Sequence, residues 1–107
     1  MNFGMFTDFH VRGGNTQAES FDESFDQVME AERLGFDTVW LAEHHFSPER
    51  AVLASPMIVA SAICAKTEHI RIGLGVQVLP LTNPLRVAEE AATVDHISKG
   101  RFEFGIG

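Results

Sequence analysis

The sequence has one cysteine, eight lysines and arginines against fifteen acidic residues, and no long hydrophobic run. Each shortage excludes something. Cys64 has no partner within the chain, so no internal disulfide and no cysteine-based metal motif can form. It lies in the apolar run Met57 to Ala65, where a thiol is expected to be buried rather than nucleophilic. A net charge of −7 leaves no cluster of positive side chains of the kind that phosphate backbones require, so nucleic acid is not an expected partner. The acidic groups gather between Asp8 and Glu49 and read as solvated surface. No segment approaches the ~18 consecutive apolar residues of a membrane helix. Met1 to Phe6 lacks the basic-then-apolar pattern of a signal peptide. A reducing cytoplasm is the expected location.

What remains is the composition of a folded domain, 45% hydrophobic and 21% charged. A chain of 107 residues is long enough for one domain that buries about two-thirds of its unfolded surface. Short apolar runs alternate with helical patterns. Phe3 to Phe6 reads as a strand, followed by a loop with Arg12-Gly13-Gly14-Asn15. Ser20 and Glu23 have the spacing of a capping box and predict a helix start. Phe21, Phe25, Val28 and Met29 then recur on one face, with Glu23, Asp26 and Glu30 opposite. Gly35 ends that helix.

Phe36 to Leu41, rich in β-branched and aromatic residues, predicts a second strand. Ser55 as cap and Pro56 at the first position predict a second helix over Met57 to Ala65, apolar on nearly every face and therefore expected to be covered on both sides. Ile70 to Leu79 reads as a third strand, with glycines at 73 and 75 that mark close approach of a ligand or another backbone. Asn83-Pro84 starts a third helix, with Val87, Ala88, Ala91 and Val94 on its apolar face and Gly100 at its end. Arg101 to Ile106 predicts a fourth strand. The order βαβαβαβ, with strand starts roughly 30 residues apart, implies α/β architecture with parallel strands and right-handed crossovers.

Four stretches carry a resemblance. They are Gly35-Phe36-Asp37-Thr38-Val39-Trp40-Leu41, Glu43-His44-His45-Phe46, Val78-Leu79-Pro80 with Asn83-Pro84, and Ser98-Lys99-Gly100-Arg101-Phe102. In this order and at these spacings the chain resembles the N-terminal part of bacterial luciferase and its flavin-dependent relatives, over essentially all its length. The resemblance implies the N-terminal half of a (β/α)₈ TIM barrel, a single partial domain over residues 1–107. A complete barrel needs about 250 residues and eight strands. It also implies a monooxygenase that uses reduced FMN and O₂ on an organic substrate, or, in one branch, hydride transfer with the deazaflavin F420.

Active sites of such barrels lie at the C-terminal ends of the strands. By resemblance His44, just past the second strand, matches a histidine that assists catalysis. An imidazole titrates near neutral pH and can exchange protons with a reacting oxygen or a substrate at low cost. His45 is expected to be structural, behind the site. No metal is expected: neighbouring residues of an extended chain point to opposite sides, and no spaced third ligand follows. The resemblance places Gly75 and Val76 against the flavin ring and implies a cis peptide between them. Gly107 stands where the luciferase α subunit has a cysteine after a matching F-G-I stretch. That departure favours a general monooxygenase or an F420 enzyme over a luciferase in the strict sense.

No G-x-G-x-x-G loop opens a helix, which disfavours a flavodoxin-like sheet. In the family the flavin phosphate is held mainly beyond the position of Gly107, so this chain is not expected to hold FMN tightly. Flavin, a small organic substrate and a flavin reductase are the implied partners. The apolar second helix implies a homodimer or larger assembly. The rival expectation is a non-catalytic barrel fragment that self-associates through its apolar surfaces.

Overall fold

In a computed structural model that describes residues 1–107, the elements run β1 (Gly4–Thr7), α1 (Gln17–Arg33), β2 (Thr38–Leu41), α2 (Pro56–Lys66), β3 (Arg71–Leu74), a 3-10 turn (Leu79–Leu81), α3 (Pro84–Ser98) and β4 (Phe102–Glu103). The strands form one parallel sheet in the order β1-β2-β3-β4. Crossovers of one hand between strands in consecutive order place all three helices on the same face of the sheet. A closed barrel has this arrangement; a doubly wound sheet has helices on both faces.

Strand side chains alternate accordingly. Val39, Leu41, Ile72, Leu74 and Phe102 are buried with Val28, Ala31, Met57, Val59, Ala60, Ile63, Cys64 and Val94 from the helices. On the opposite face, Phe6, Trp40, Gly73 and Glu103 occupy one row of the register. The Trp40 ring lies over Gly73, where a Cβ would overlap it. Arg71 and Glu103 form an ion pair on the same face, Nε to Oε1 at 2.6 Å. Phe6 is 66% exposed there and Trp40 37%.

Helix boundaries follow the expected chemistry with two corrections. Two Ser/Thr-x-x-Glu boxes stand in tandem, and the first one caps α1 rather than Ser20 with Glu23. Thr16 Oγ1 accepts from the Glu19 N–H at 3.2 Å, and the Thr16 N–H donates to Glu19 Oε2 at 2.7 Å. Ser20, now one turn inside, is fully buried and donates to the Thr16 carbonyl. Ser55 makes no side-chain cap bond, although Pro56 does begin α2. Asn83 caps α3 as expected, accepting from the N–H groups of Leu85 and Arg86. Gly35 at φ 84° and Gly100 at φ 80° follow the ends of α1 and α3.

The apolar faces are narrower than their sequence patterns. Met29 of α1 and Ala88 of α3 are exposed, because α1 turns Val28 and Ala31 inward and α3 turns Val87 and Val94. In α2 the chain covers Met57, Val59, Ala60, Ile63 and Cys64 but leaves Ile58 72% exposed. Only one side of that helix is therefore covered here. Burial pushes the Cys64 thiol above its usual range, and the Arg101 charge offsets this only in part.

Arg101 fastens the amino-terminal end of the sheet. Its guanidinium donates to the carbonyls of Ser98, Ile70, Cys64 and Thr67 and to Thr67 Oγ1, at 2.8–3.1 Å. The C-terminus of α2, the approach to β3 and the end of α3 meet on this one side chain. No helix is long and apolar enough to cross a membrane.

Candidate active site at the carboxyl rim

The carboxyl ends of the strands are brought together by backbone bonds that continue past each strand. The Ala42 N–H donates to the Thr7 carbonyl at 3.0 Å, and the Gly75 N–H to the Leu41 carbonyl at 2.8 Å. The loops after β1 and β2 are then zipped to each other. His10 and Ala51 form an antiparallel bridge, flanked by Val11 N–H to Arg50 O at 3.0 Å and Val52 N–H to Phe9 O at 3.1 Å.

Past β2, Glu43 and His45 share one side and His44 takes the other, the alternation of a strand. Glu43 Oε1 and His45 Nε2 are 2.7 Å apart. The other oxygen of Glu43, Oε2, accepts the Val78 N–H at 2.9 Å, and the carboxylate is 3% exposed. These two residues back onto a cleft of about 320 Å³ shared with Met57, Gln77, Leu81 and Glu90. His44 faces the other way. Its Nε2 lies 3.6 Å from Oδ2 of Asp8, the first residue after β1, with the side chains 31% and 18% exposed.

Past β3 the Gly75–Val76 peptide is cis, as the resemblance implies. The pairing with β4 also slips. Gly73 faces Glu103, but Gln77 faces Ile106, so four steps on one strand match three on the other. One extra residue on the β3 side is a bulge, a feature that re-aims side chains beside active sites. It also explains why the fourth strand breaks after Glu103 instead of running to Ile106. Beyond the bulge the Gln77 N–H donates to the Gly105 carbonyl at 2.8 Å and the Gly107 N–H to the Gln77 carbonyl at 3.1 Å. A Cβ on Gly107 would overlap the Val76 side chain.

The structure therefore brings Gly75, Val76 and Gly107 together, the last two in contact. His44 sits on the neighbouring loop, joined to this segment through Glu43 and Val78. Asp8, Glu43, Phe6 and Trp40 were not expected as parts of the site. Asp8 and Glu43 carried the signal of their place, just past the ends of β1 and β2, and Trp40 stood in one of the stretches that carry the resemblance; nothing local marked Phe6. No group of three or more His, Cys, Asp or Glu is placed to hold a metal ion.

A family model described as luciferase-like monooxygenase matches residues 1–107. The alkanal monooxygenase alpha chain of Photorhabdus luminescens is 45% identical over 76 residues, 71% of this chain and 21% of that one. Limonene 1,2-monooxygenase of Rhodococcus erythropolis is 36% identical over 107 residues, all of this chain and 27% of that one. The oxygenating constituent of 3,6-diketocamphane monooxygenase from Pseudomonas putida, solved in complex with FMN, superposes with a TM-score of 0.90 at 24% identity. It is covered over 29% of its length, and all of this chain takes part. The chain spans less than a third of each of these proteins. All of its parallel sheet and connecting helices superpose on part of the larger diketocamphane monooxygenase structure, and the chain belongs to the luciferase-like monooxygenase family.

Proposed function

We propose that this chain supplies the β1–β4 side of the active site of a flavin-dependent monooxygenase acting on a small organic substrate. The observation that carries this is the grouping of His44, Gly75, Val76 and Gly107 at the carboxyl ends of three adjacent strands. The residues fit a flat aromatic cofactor. A Cβ built on Gly75 would meet only the rings of Trp40 at 3.8 Å and Phe6 at 4.0 Å, so the surface there is open and bordered by aromatic side chains. Val76 is 38% exposed beside it. Gly75, Val76 and Gly107 would lie against the isoalloxazine ring. Reduced FMN, when bound, supplies the activation of O₂; in an F420 branch the cofactor would supply a hydride instead. His44 holds or releases a proton at the rim, from a loop fixed by its own N–H bond to the Leu53 carbonyl at 2.9 Å.

Asp8, beside His44 at this rim, is acidic and Arg12 on the same loop is paired with Glu23, which supports weak retention of FMN by this chain alone. A flavin reductase would provide the reduced cofactor. The uncovered side of α2, with Ile58 exposed on that helix, Leu81 on the 3-10 turn and Leu85 at the start of α3, supports a homodimer or larger assembly. The lone buried cysteine agrees with a reducing cytoplasm.

The test compares this chain with a version extended through eight strands, assayed for reduced-flavin-dependent oxygenation. Turnover is expected in the long form, and His44→Asn should lower it by about 10²–10⁴-fold. Full activity in the His44 variant would refute its role. A second reading, a non-catalytic self-associating module, is favoured by the exposed row on the inner sheet face and by the free edges of β1 and β4. An extended form that fails to turn over, with the short form oligomeric by light scattering, would support it.

A further inference from the structure

The ring of His44 makes no hydrogen bond, yet one of its nitrogens faces a carboxylate. Asp8 Oδ2 lies 3.6 Å from Nε2. Glu43, the neighbouring acid, is occupied by His45 and the Val78 N–H. Arg12, the nearest cation in sequence to Asp8, pairs with Glu23 instead.

Both partners are held by backbone rather than by chance contact. Phe9, next to Asp8, is fully buried at φ 54°, with its ring edge-on to Phe21 and Phe25 at 5.4 Å. Its N–H donates to Thr7 Oγ1 at 3.1 Å and its carbonyl accepts from Val52. His44 is pinned to Leu53, two residues from Ala51 in the same zipped loop pair. The Asp8 carboxylate caps no helix and bonds no turn, so it has no structural partner of its own. A partly shielded aspartate without a local role, aimed at the imidazole that the functional reading makes a proton carrier, calls for an explanation.

We propose that Asp8 is a positioning residue for His44: its carboxylate keeps the imidazole proton on Nε2 and leaves the Nδ1 lone pair to the reacting atoms. This rests on the reading of His44 as the proton carrier. At 3.6 Å the pair is not yet hydrogen-bonded, and a closure of about 0.5 Å makes it so. Such bonds tighten when a site fills. On taking a proton at Nδ1 the ring becomes imidazolium, and the adjacent carboxylate balances that charge; on release the same proton leaves from Nδ1. Nothing else changes oxidation state or bonding. The arrangement parallels the orienting acid of any His–carboxylate pair, in which the second nitrogen's bond decides which tautomer is presented.

The experiment reads the tautomer directly, on this chain labelled with ¹⁵N-histidine, at a pH where the ring is neutral. The ring nitrogen shifts of His44 are expected to report a single Nε2–H form in the wild type. Asp8→Leu is expected to lose that signature and show a mixture with Nδ1–H. Equal tautomer populations in the two proteins would overturn the assignment. Should Leu disturb the loop, as judged by the amide spectrum, Asp8→Asn removes the charge at constant shape and is read in the same way. Asp8→Glu is expected to restore the single form. These outcomes are separate from the fate of the functional reading: a His44→Asn variant of the extended form with unimpaired turnover would remove the catalytic role while leaving the tautomer result intact.

Discussion

Glu43 reaches across from the loop after β2 to the backbone N–H of Val78, 2.9 Å away, and thereby fixes the segment that follows the Gly75–Val76 peptide. Its other oxygen holds His45 at 2.7 Å, and almost none of the carboxylate meets solvent. Removing the acceptor leaves a backbone donor without a partner, which costs about 1–3 kcal/mol. Glu43→Ala should therefore lower the thermal midpoint by roughly 5–15 °C, whereas Glu43→Gln, which keeps an oxygen for Val78, should lose less. Thermal unfolding by circular dichroism checks this; equal midpoints for Ala and wild type would show that the bond carries no weight.

Arg101 donates five hydrogen bonds in a fan that only a planar fork can reach. An ammonium in its place satisfies few of those carbonyls. Arg101→Lys is expected to cost about 2–3 kcal/mol despite keeping the charge. Urea unfolding monitored at Trp40 measures it, and a midpoint within error of wild type would refute the assigned role.

Glu32 predicts a pH dependence. Burial alone would raise its carboxyl above the usual value, but the N–H groups of His69, Ile70 and Glu68 all donate to Oε1, at 2.6–3.0 Å, and with the nearby His69 they hold it below that value. A carboxyl lowered in the folded state stabilises fully above its unfolded pKa and loses that contribution as pH falls through the folded one. Glu32→Gln should thus be less stable than wild type at neutral pH. The gap should close as pH drops below the usual carboxyl value of 4.5. Denaturant titrations at pH 7 and pH 3 test this, and a gap unchanged between them would contradict it.

Gly73 allows Trp40 to lie across the sheet. Gly73→Ala places a methyl group in the ring's position and should cost about 1–3 kcal/mol as the indole is pushed aside. Trp40 is the only tryptophan, so its emission reports the displacement without interference. An unchanged spectrum and stability would show that the ring has room to spare.

The spacing of apolar residues set the order of strands and helices, because the helical and strand periods are properties of neighbouring residues. Asn83-Pro84 and Gly35 marked real helix ends for the same reason: caps act within one turn. Even so, local chemistry offered two equal boxes at the start of α1. The choice of Thr16 over Ser20 went with burial of Ser20, which only the packed fold defines. The site divides in the same way. His44, Gly75, Val76 and Gly107 were named from the resemblance, since the apolar pattern ran the third strand on to Leu79, through Gly75 and Val76, where the structure ends it at Leu74. The meeting of Asp8 with His44, the reach of Glu43 to Val78, and the one-residue slip between β3 and β4 came from neither. Each joins positions about 30 or more residues apart, and such contacts arise from the register of parallel strands, which no local pattern in the chain encodes.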